Sequence, residues 1–561
     1  MSSATPQAPA PEDQRLHHPS AFEPRTLIVT ILLSVIGAYI GLHLVTTLGI
    51  SANTSVIGAL IAMVIGRIGI LGLSRFKDVH RQNLAQTAIS GATFAAANAL
   101  LTPIAIAWVF GRADLIWPLL IGVAVGLGID SFVLFRAFGS RFLPASAPWP
   151  PGVASAETIK AGDQGGRRAK VLLGSGVLGL LLSWFGLSGS AAGVAFIGNV
   201  VALLMLGIGL MINQYLTILP GLADFSLSAD YIPHGIMIGA GVVALGQAVG
   251  IFVRRRSRAH DVPDTGAVTP EDDAQPETGP DPALEVSRSP RELGAALGGG
   301  FGLFMLGALL LSLITGIATD MPLLALVGWI VFAAFAAFVH EIIVGLAAMH
   351  SGWFPAFAVT LIFLVLGLIV GLPEVPLMVL VGYCAATGPA FADMGYDLKA
   401  GWILRRIHSR HPGYRAYELS GRRQQYYSSI IGFAVALLMV ALLWHSFFES
   451  GAIPPVSTVF ADTISAGLTN PDAVKNLLLW AIPGAIIQIV GGSKRQMGVM
   501  LATGLLLTQP YACWLIFLAL AIRLVVRRVR GAAAEEELSL VGAGLIAGDA
   551  IASLGQVFRG K

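Results

Sequence analysis

The sequence predicts an all-α membrane protein, a polytopic helical bundle of about 16 transmembrane segments in two halves, with some helices broken or re-entrant. Three observations predict it. Of 561 residues, 55% are hydrophobic and only 12% charged, at a mean hydropathy of +0.76, which leaves too little polar material for a water-facing surface. The apolar residues fall in runs of about 18 to 27, the length a helix needs to cross a roughly 30 Å hydrocarbon core. A single long stretch, 254–290, opens with four arginines, turns rich in Asp, Glu, Pro and Gly, and divides the apolar runs into two sets.

The first set comprises 26–50, 54–73, 83–110, 115–135, 171–187, 191–216 and 232–253. The second comprises 293–317, 323–349, 354–371, 375–392, 427–445, 474–490, 498–507, 512–526 and 538–558. The expected organisation is a polar cytoplasmic tail (1–25), an N-terminal transmembrane half (26–253), a disordered acidic cytoplasmic linker (254–290) and a C-terminal transmembrane half (291–561). The tail is Pro-rich and lacks the basic start and small-residue cleavage site of a secretory signal, so the first span is expected to stay in place.

Basic clusters at span ends set the orientation: Arg75, Lys77 and Arg81, Lys160 to Lys170, Arg254 to Arg258, Arg405 to Arg423, Lys494 and Arg495, and Arg527 to Arg530 face the cytoplasm. The C-terminal spans alternate correctly under that rule. The N-terminal half misses by one crossing, three spans lying between Lys170 and Arg254 where an even number is required, and the short segment PPGVASAETIKA from Pro150 is the suspect half-helix. RQNLAQTAISG from Arg81 and RRQQYYSSIIG from Arg422 echo one another faintly, each placing Gly ten residues on, at Gly91 and Gly432.

Polar groups inside spans are expensive and usually serve function or interhelical bonding. Asn83, Gln86 and Thr87, at i, i+3 and i+4, share a helix face that offers donors and acceptors to a polar solute or to neighbouring helices. Gly152 bares the backbone near the start of the Pro150 segment, and Glu157 stands three residues from Lys160; the segment reads either as a carboxylate-binding half-helix or as an ordinary loop helix. Tyr383 precedes a break at Gly388-Pro389, and Asp393 and Asp397, at i and i+4 beyond it, form either a proton-carrying pair or a charged span end. Asp549 is a lone acid in the last span among Gly542, Gly544 and Gly548, suited to coupling or to tight packing. His340 and Glu341 are titratable neighbours in an apolar span, about 100° apart on the helix.

No phosphate-binding loop, HExxH, nucleophile elbow or paired-cysteine spacing is present, so neither enzyme chemistry nor ATP-driven transport is expected, and no cofactor, bound metal or nucleic acid is implied. Cys384 and Cys513 read as small core residues. A channel or a non-transporting membrane sensor remains the alternative to a secondary transporter.

Five segments together resemble the oligopeptide transporter superfamily, and within it the yellow stripe-like and bacterial branch. They are NLAQT from Asn83, PPGVASA from Pro150, the Asp393-Met394 stretch with Asp397, Lys399 and Gly401, Arg423 with Ser428 and Gly432, and GLIAGD from Gly544 to Asp549. The resemblance implies proton-coupled import of small peptides or amino-acid-derived metal chelates across a cell membrane, whether plasma or bacterial inner membrane. With the residue reading it implies solute contact at Asn83, Gln86, Thr87, Gly152, Glu157 and Tyr383. Proton coupling falls to His340, Glu341, Asp393, Asp397 and Asp549. The glycine-rich spans permit a homodimer.

Overall fold

A computed structural model describes the chain except residues 1–15, 50–57, 59–75, 162–165, 221, 223–224, 261–286, 352–355, 470, 493–494, 508, 510, 532–533 and 559–561. The expected span 54–73, apart from Gly58, and most of the expected linker therefore lie outside the described residues. The fold is all-α. Among the described residues nine helices are long and apolar enough to cross a membrane, and four apolar helices are shorter.

Helix α1 (Pro24–Thr47) starts at the basic face. Helix α2 (Val79–Phe94) begins there too, its first amides capped by the Asp78 carboxylate, and runs through a π-helical stretch (Ala95–Leu101) into α3 (Thr102–Val109). Helix α4 (Ile116–Ala137) returns to the basic face, where α5 (Pro150–Ala161) forms the short helix expected from its sequence.

The break that the N-terminal half calls for lies elsewhere than at Pro150. The run 191–216, read as one span, is two helices. α6 (Gly166–Trp184) is followed by α7 (Gly189–Ile197), then a turn at Gly198 and Asn199, then α8 (Val200–Tyr215) and α9 (Ile232–His260). The Asn199 side chain accepts from the Val201 and Ala202 amides and so starts a new helix inside an otherwise apolar run. The direction reverses there: α7 runs toward the start of the last helix, Gly189 facing Asp549 and Ile197 facing Gly542, whereas α8 runs away from it. Arg523, beside Glu535, donates to Gly198 O (2.5 Å), and Trp514, nine residues earlier, donates to Tyr215 Oη (2.8 Å) at the far end of α8. Four helices, one of them half-length, now separate Lys170 from the end of α9.

The second half comprises α10 (Pro290–Ile314), α11 (Leu323–Ser351), α12 (Ala356–Val370), α13 (Glu374–Ala386), α14 (Pro389–Arg405) and α15 (Tyr414–Glu449). They are followed by α16 (Pro455–Thr469), α17 (Pro471–Gly491), α18 (Met497–Leu506), α19 (Ala512–Arg530) and α20 (Ala534–Phe558). Two of these helices depart from the expected segments. No span was expected between 445 and 474, because Ser457, Asp462 and Thr463 dilute the apolar run. In α16 they are satisfied internally: Ser457 Oγ donates to Thr102 O (2.7 Å), and His234 Nε2 lies 2.7 Å from Asp462 Oδ2. Helix α15 starts thirteen residues before the expected Tyr427, because charged residues that read as loop are buried in ion pairs, described below.

Without a hydrophobic force between helices in lipid, close backbone approach does the packing. Glycine permits it along α6 and α20. A Cβ at Gly548 would strike Gly176 O, one at Gly544 the Leu172 carbonyl, and one at Gly179 the Leu545 backbone. The two echo segments also pack lengthwise and parallel. Ser428 Oγ of α15 donates to Leu84 O of α2 (2.6 Å), and Gly432 rests on the backbone of Ala88 and Ala92.

Part of the N-terminal tail is docked on the basic face. Ala21 N donates to Gln424 Oε1 (2.9 Å), and Arg81 grips Glu23 through Nε and Nη2, both at 3.0 Å. The His18 ring lies 5.0 Å from that of His80 and 5.7 Å from that of Tyr417. Burial, reinforced by the Arg405 charge, lowers the His18 pKa from 6.5 to about 3, so the docked ring is neutral. Burial pushes the Glu23 carboxyl up, but its hydrogen bonds and the charge of Arg81 hold it below its usual 4.5. Both groups bind protons less readily when docked, so the tail is held above 6.5 and released as pH falls toward 3. Between 6.5 and 4.5 the loss does not involve Glu23 and includes that of His18. Limited proteolysis of residues 16–23 is expected to accelerate by up to about tenfold per pH unit in that window, and His18→Asn to flatten the profile.

Candidate functional site

The polar face of α2 meets α14 and α15 in a buried layer. Asn83 Nδ2 donates to Gln86 Oε1 (2.9 Å), and Gln86 Nε2 donates to Asp397 Oδ1. One turn on, Ser90 Oγ donates to Asp393 Oδ1 (2.6 Å). From α15, Gln425 Nε2 donates to Asp397 O (2.6 Å) and approaches Thr87 Oγ1 (3.4 Å). Asn83, Gln86, Thr87, Gln425 and Asp397 expose no surface, and Asp393 almost none. The face that read as a solute surface is thus closed against a neighbour: its donors meet the two carboxylates that read as a proton pair. Such a layer opens only if α14 parts from α2, which exposes two acids and a row of amides and hydroxyls together.

Helix α14 is suited to such movement because the chain breaks just before it. Gly388, at φ +84°, separates α13 from α14, in a conformation that costs a side chain strain. A Cβ there would also lie 2.9 Å from both His340 Nδ1 and Val344 Cβ. Pro389 begins α14, where its missing amide hydrogen is harmless. His340 braces the break: Nε2–H donates to Ala356 O (2.9 Å), leaving Nδ1 to accept from Thr387 Oγ1 (3.2 Å). Its neighbour Glu341 points instead at Asp130 of α4, and Gly388 N donates to Asp130 Oδ1 (3.1 Å).

The remaining predicted solute contacts are not brought into this layer. Gly152 is a packing residue: α5 rests on α14 there, and a Cβ would collide with Tyr396 O and Lys399. The first amides of α5 turn back to Trp149 O, at 2.9 Å from Gly152 N and 3.3 Å from Val153 N. Glu157 is exposed and pairs with Lys160 at 2.9 Å. Tyr383 is buried with its hydroxyl donating to Phe304 O of α10 (3.3 Å). Lys399 donates to Ala145 O (2.8 Å) and lies 4.4 Å over the Trp402 ring.

Asp549 forms a second buried site. Its Oδ2 accepts from Ser190 N (2.8 Å) at the start of α7 and lies 3.2 Å from His43 Nε2 of α1. It thereby joins three helices at the tip of the half-length α7, whose amide end favours an anion. Removing the carboxylate leaves a buried amide unpaired, so Asp549→Ala is expected to lower stability by about 1 to 3 kcal/mol in thermal unfolding in detergent. One turn beyond His43, Thr46 and Thr47 help line a cavity of about 400 Å³, with Ser450, Thr458 and Gln509, open at the face opposite the basic clusters. That size falls within the roughly 300–1,000 Å³ of small-molecule sites.

Sequence reasoning missed Asp130 and His43, each a lone titratable group in an apolar span, although the rule that singled out Asp549 applies equally to them. It also missed the ion cluster below the polar layer. Glu418 of α15 takes Arg405 Nη2 (3.2 Å) and Arg422 Nη2 (2.8 Å), and Arg405 Nη1 donates to Gln425 Oε1 (2.8 Å). The polar layer is therefore continuous with a buried charge cluster toward the basic-face ends of α14 and α15.

A family model described as OPT oligopeptide transporter protein matches the chain over residues 22–253 and 225–558. No curated protein matches it.

Proposed function

Given a chain that belongs to the oligopeptide transporter family and is a multi-pass membrane protein, we propose that it is a proton-coupled importer of small peptides or amino-acid-derived metal chelates, of the yellow stripe-like and bacterial branch. Family membership supports an oligopeptide transporter rather than an enzyme. The finer reading rests on one observation, the closed layer in which Gln86 and Ser90 of α2 hold Asp397 and Asp393 of α14 beyond a helix break.

In this reading the solute enters from the outer cavity, and α14 pivots at Gly388 away from α2. The solute's ammonium group takes the place of Gln86 and Ser90 as partner of Asp397 and Asp393, while Asn83, Gln86 and Thr87 turn to its carboxylate and amides. Asp549 and His43 lie below the cavity mouth and complete the path. A metal, if carried, arrives already chelated and is cargo. The reading takes about 16 spans, in the plasma or bacterial inner membrane, and a homodimer packed through glycine-rich faces.

The test is uptake into proteoliposomes of a panel of di- to tetrapeptides and of amino-acid-derived chelates with and without iron, under an inward proton gradient. Accumulation of one class above its outside concentration supports the reading and names the solute. Uptake that only equilibrates favours a channel, and binding without flux a sensor.

A further inference from the structure

Two fully buried carboxyl groups face one another at the break between α13 and α14. Asp130 reaches in from α4 and Glu341 from α11, and neither exposes any surface. Asp130 Oδ1 accepts the Gly388 amide, which opens α14. The Phe391 amide also approaches the Asp130 carboxyl, whereas both oxygens of Glu341 meet no N–H or hydroxyl. Each carboxyl also meets the other.

The neighbouring titratable groups are engaged elsewhere. The Tyr383 hydroxyl donates to Phe304 O, His340 is held by Ala356 O and Thr387, and Cys384 Sγ donates to Ala336 O (3.8 Å). Asp393, one turn along α14, is turned to Ser90. Among the described residues no arginine or lysine pairs with either acid.

Two carboxylates in that setting repel by roughly 4 kcal/mol at 4 Å in a protein-like dielectric, on top of several kcal/mol of desolvation each. One proton between them removes the repulsion and makes a charge-assisted O–H···O bond. The single remaining charge is better placed on Asp130, which has the Gly388 amide and the positive end of α14, so the proton belongs on Glu341.

We propose that Asp130 and Glu341 share one proton in the closed state and form the exchanging proton site, and that a second proton, taken up by Asp130, loosens its hold on Gly388 and frees α14 to part from α2. On the other side Glu341 gives up its proton and is recharged from Asp130, so one proton crosses per cycle and both acids are needed for it. The proposal rests on the proton coupling inferred above and assigns it a location.

The test uses the full chain in proteoliposomes and two readouts. Infrared spectra at alkaline pH, where exposed acids are ionised, should retain a protonated-carboxyl C=O band that shifts in D₂O. Glu341→Gln should remove it, and Asp130→Asn should keep it, because Glu341 then has no reason to ionise. In transport, Glu341→Gln should lose gradient-driven accumulation yet keep solute counterflow, which needs no net proton movement. The glutamine keeps the size of the side chain and can donate to Asp130, so it should fold; Asp130→Asn, expected to lose gradient dependence too, serves if it does not. A wild-type spectrum without the band, or Glu341→Gln with wild-type gradient-driven accumulation, overturns the proposal. Wild-type uptake indifferent to the gradient overturns instead the proton-coupled reading on which it rests.

Discussion

Glu418→Ala is expected to destabilise the protein by about 3 to 5 kcal/mol, the largest single loss among the substitutions considered. Arg405, Arg422 and Glu418 are all buried, and the one carboxylate divides its oxygens between the two guanidiniums. Truncating it leaves two like charges facing each other without water. Arg422 retains Phe138 O (2.6 Å) and Arg405 retains Gln425, but neither contact neutralises charge. The surface pair Glu157 and Lys160 is the internal control: Glu157→Ala should change stability by less than about 0.5 kcal/mol, because an exposed pair gains little over hydration. Thermal unfolding of the two variants in one detergent reads the difference directly.

Asp397→Asn should leave stability near wild type and cut uptake by about 10- to 100-fold. The asparagine Oδ1 still accepts from Gln86 Nε2, and the backbone carbonyl of residue 397 still accepts from Gln425, so the closed layer survives. What is lost is the charge that would bind a solute ammonium group, and a hydrogen bond to a charged partner contributes about 1.5 to 3 kcal/mol. If Asp397 only tied α14 to α2, asparagine would transport normally. Measuring initial uptake rates alongside thermal stability separates the two roles.

Much of the architecture was legible because its causes are local. The glycine and proline at 388 and 389 announce a break, since one residue tolerates a positive φ and the other starts a helix without an amide hydrogen. Pro150 marks α5 for the same reason. The polar stripe of Asn83, Gln86 and Thr87 was legible from helical spacing alone, though its partners were not. Asp397 is 311 residues away in sequence, and Asp549 meets His43 across 506. Spacing within one helix says which residues point together, and nothing about which helix stands opposite.

The errors share a cause as well. Apolar runs were read as spans and charged runs as loops, so the α7–α8 turn vanished inside an apolar run and the first turns of α15 were assigned to a loop. Asn199 reverses the chain by capping one helix, and Glu418 buries two arginines by pairing them; both effects depend on a single side chain that composition averages away. Gly152 misled for a related reason. A bare backbone suits an anion and a close helix contact equally, and here Tyr396 occupies the space.

The central claim is that solute and proton cross together. The most direct measurement is the lumenal pH of proteoliposomes holding the wild-type chain, followed with an entrapped indicator as the solute identified by uptake is added outside without any imposed gradient. Acidification of the lumen that tracks solute entry, and that Glu341→Gln abolishes, is the expected result. Solute entry with no change in lumenal pH would contradict the account and leave a uniporter or a channel in its place.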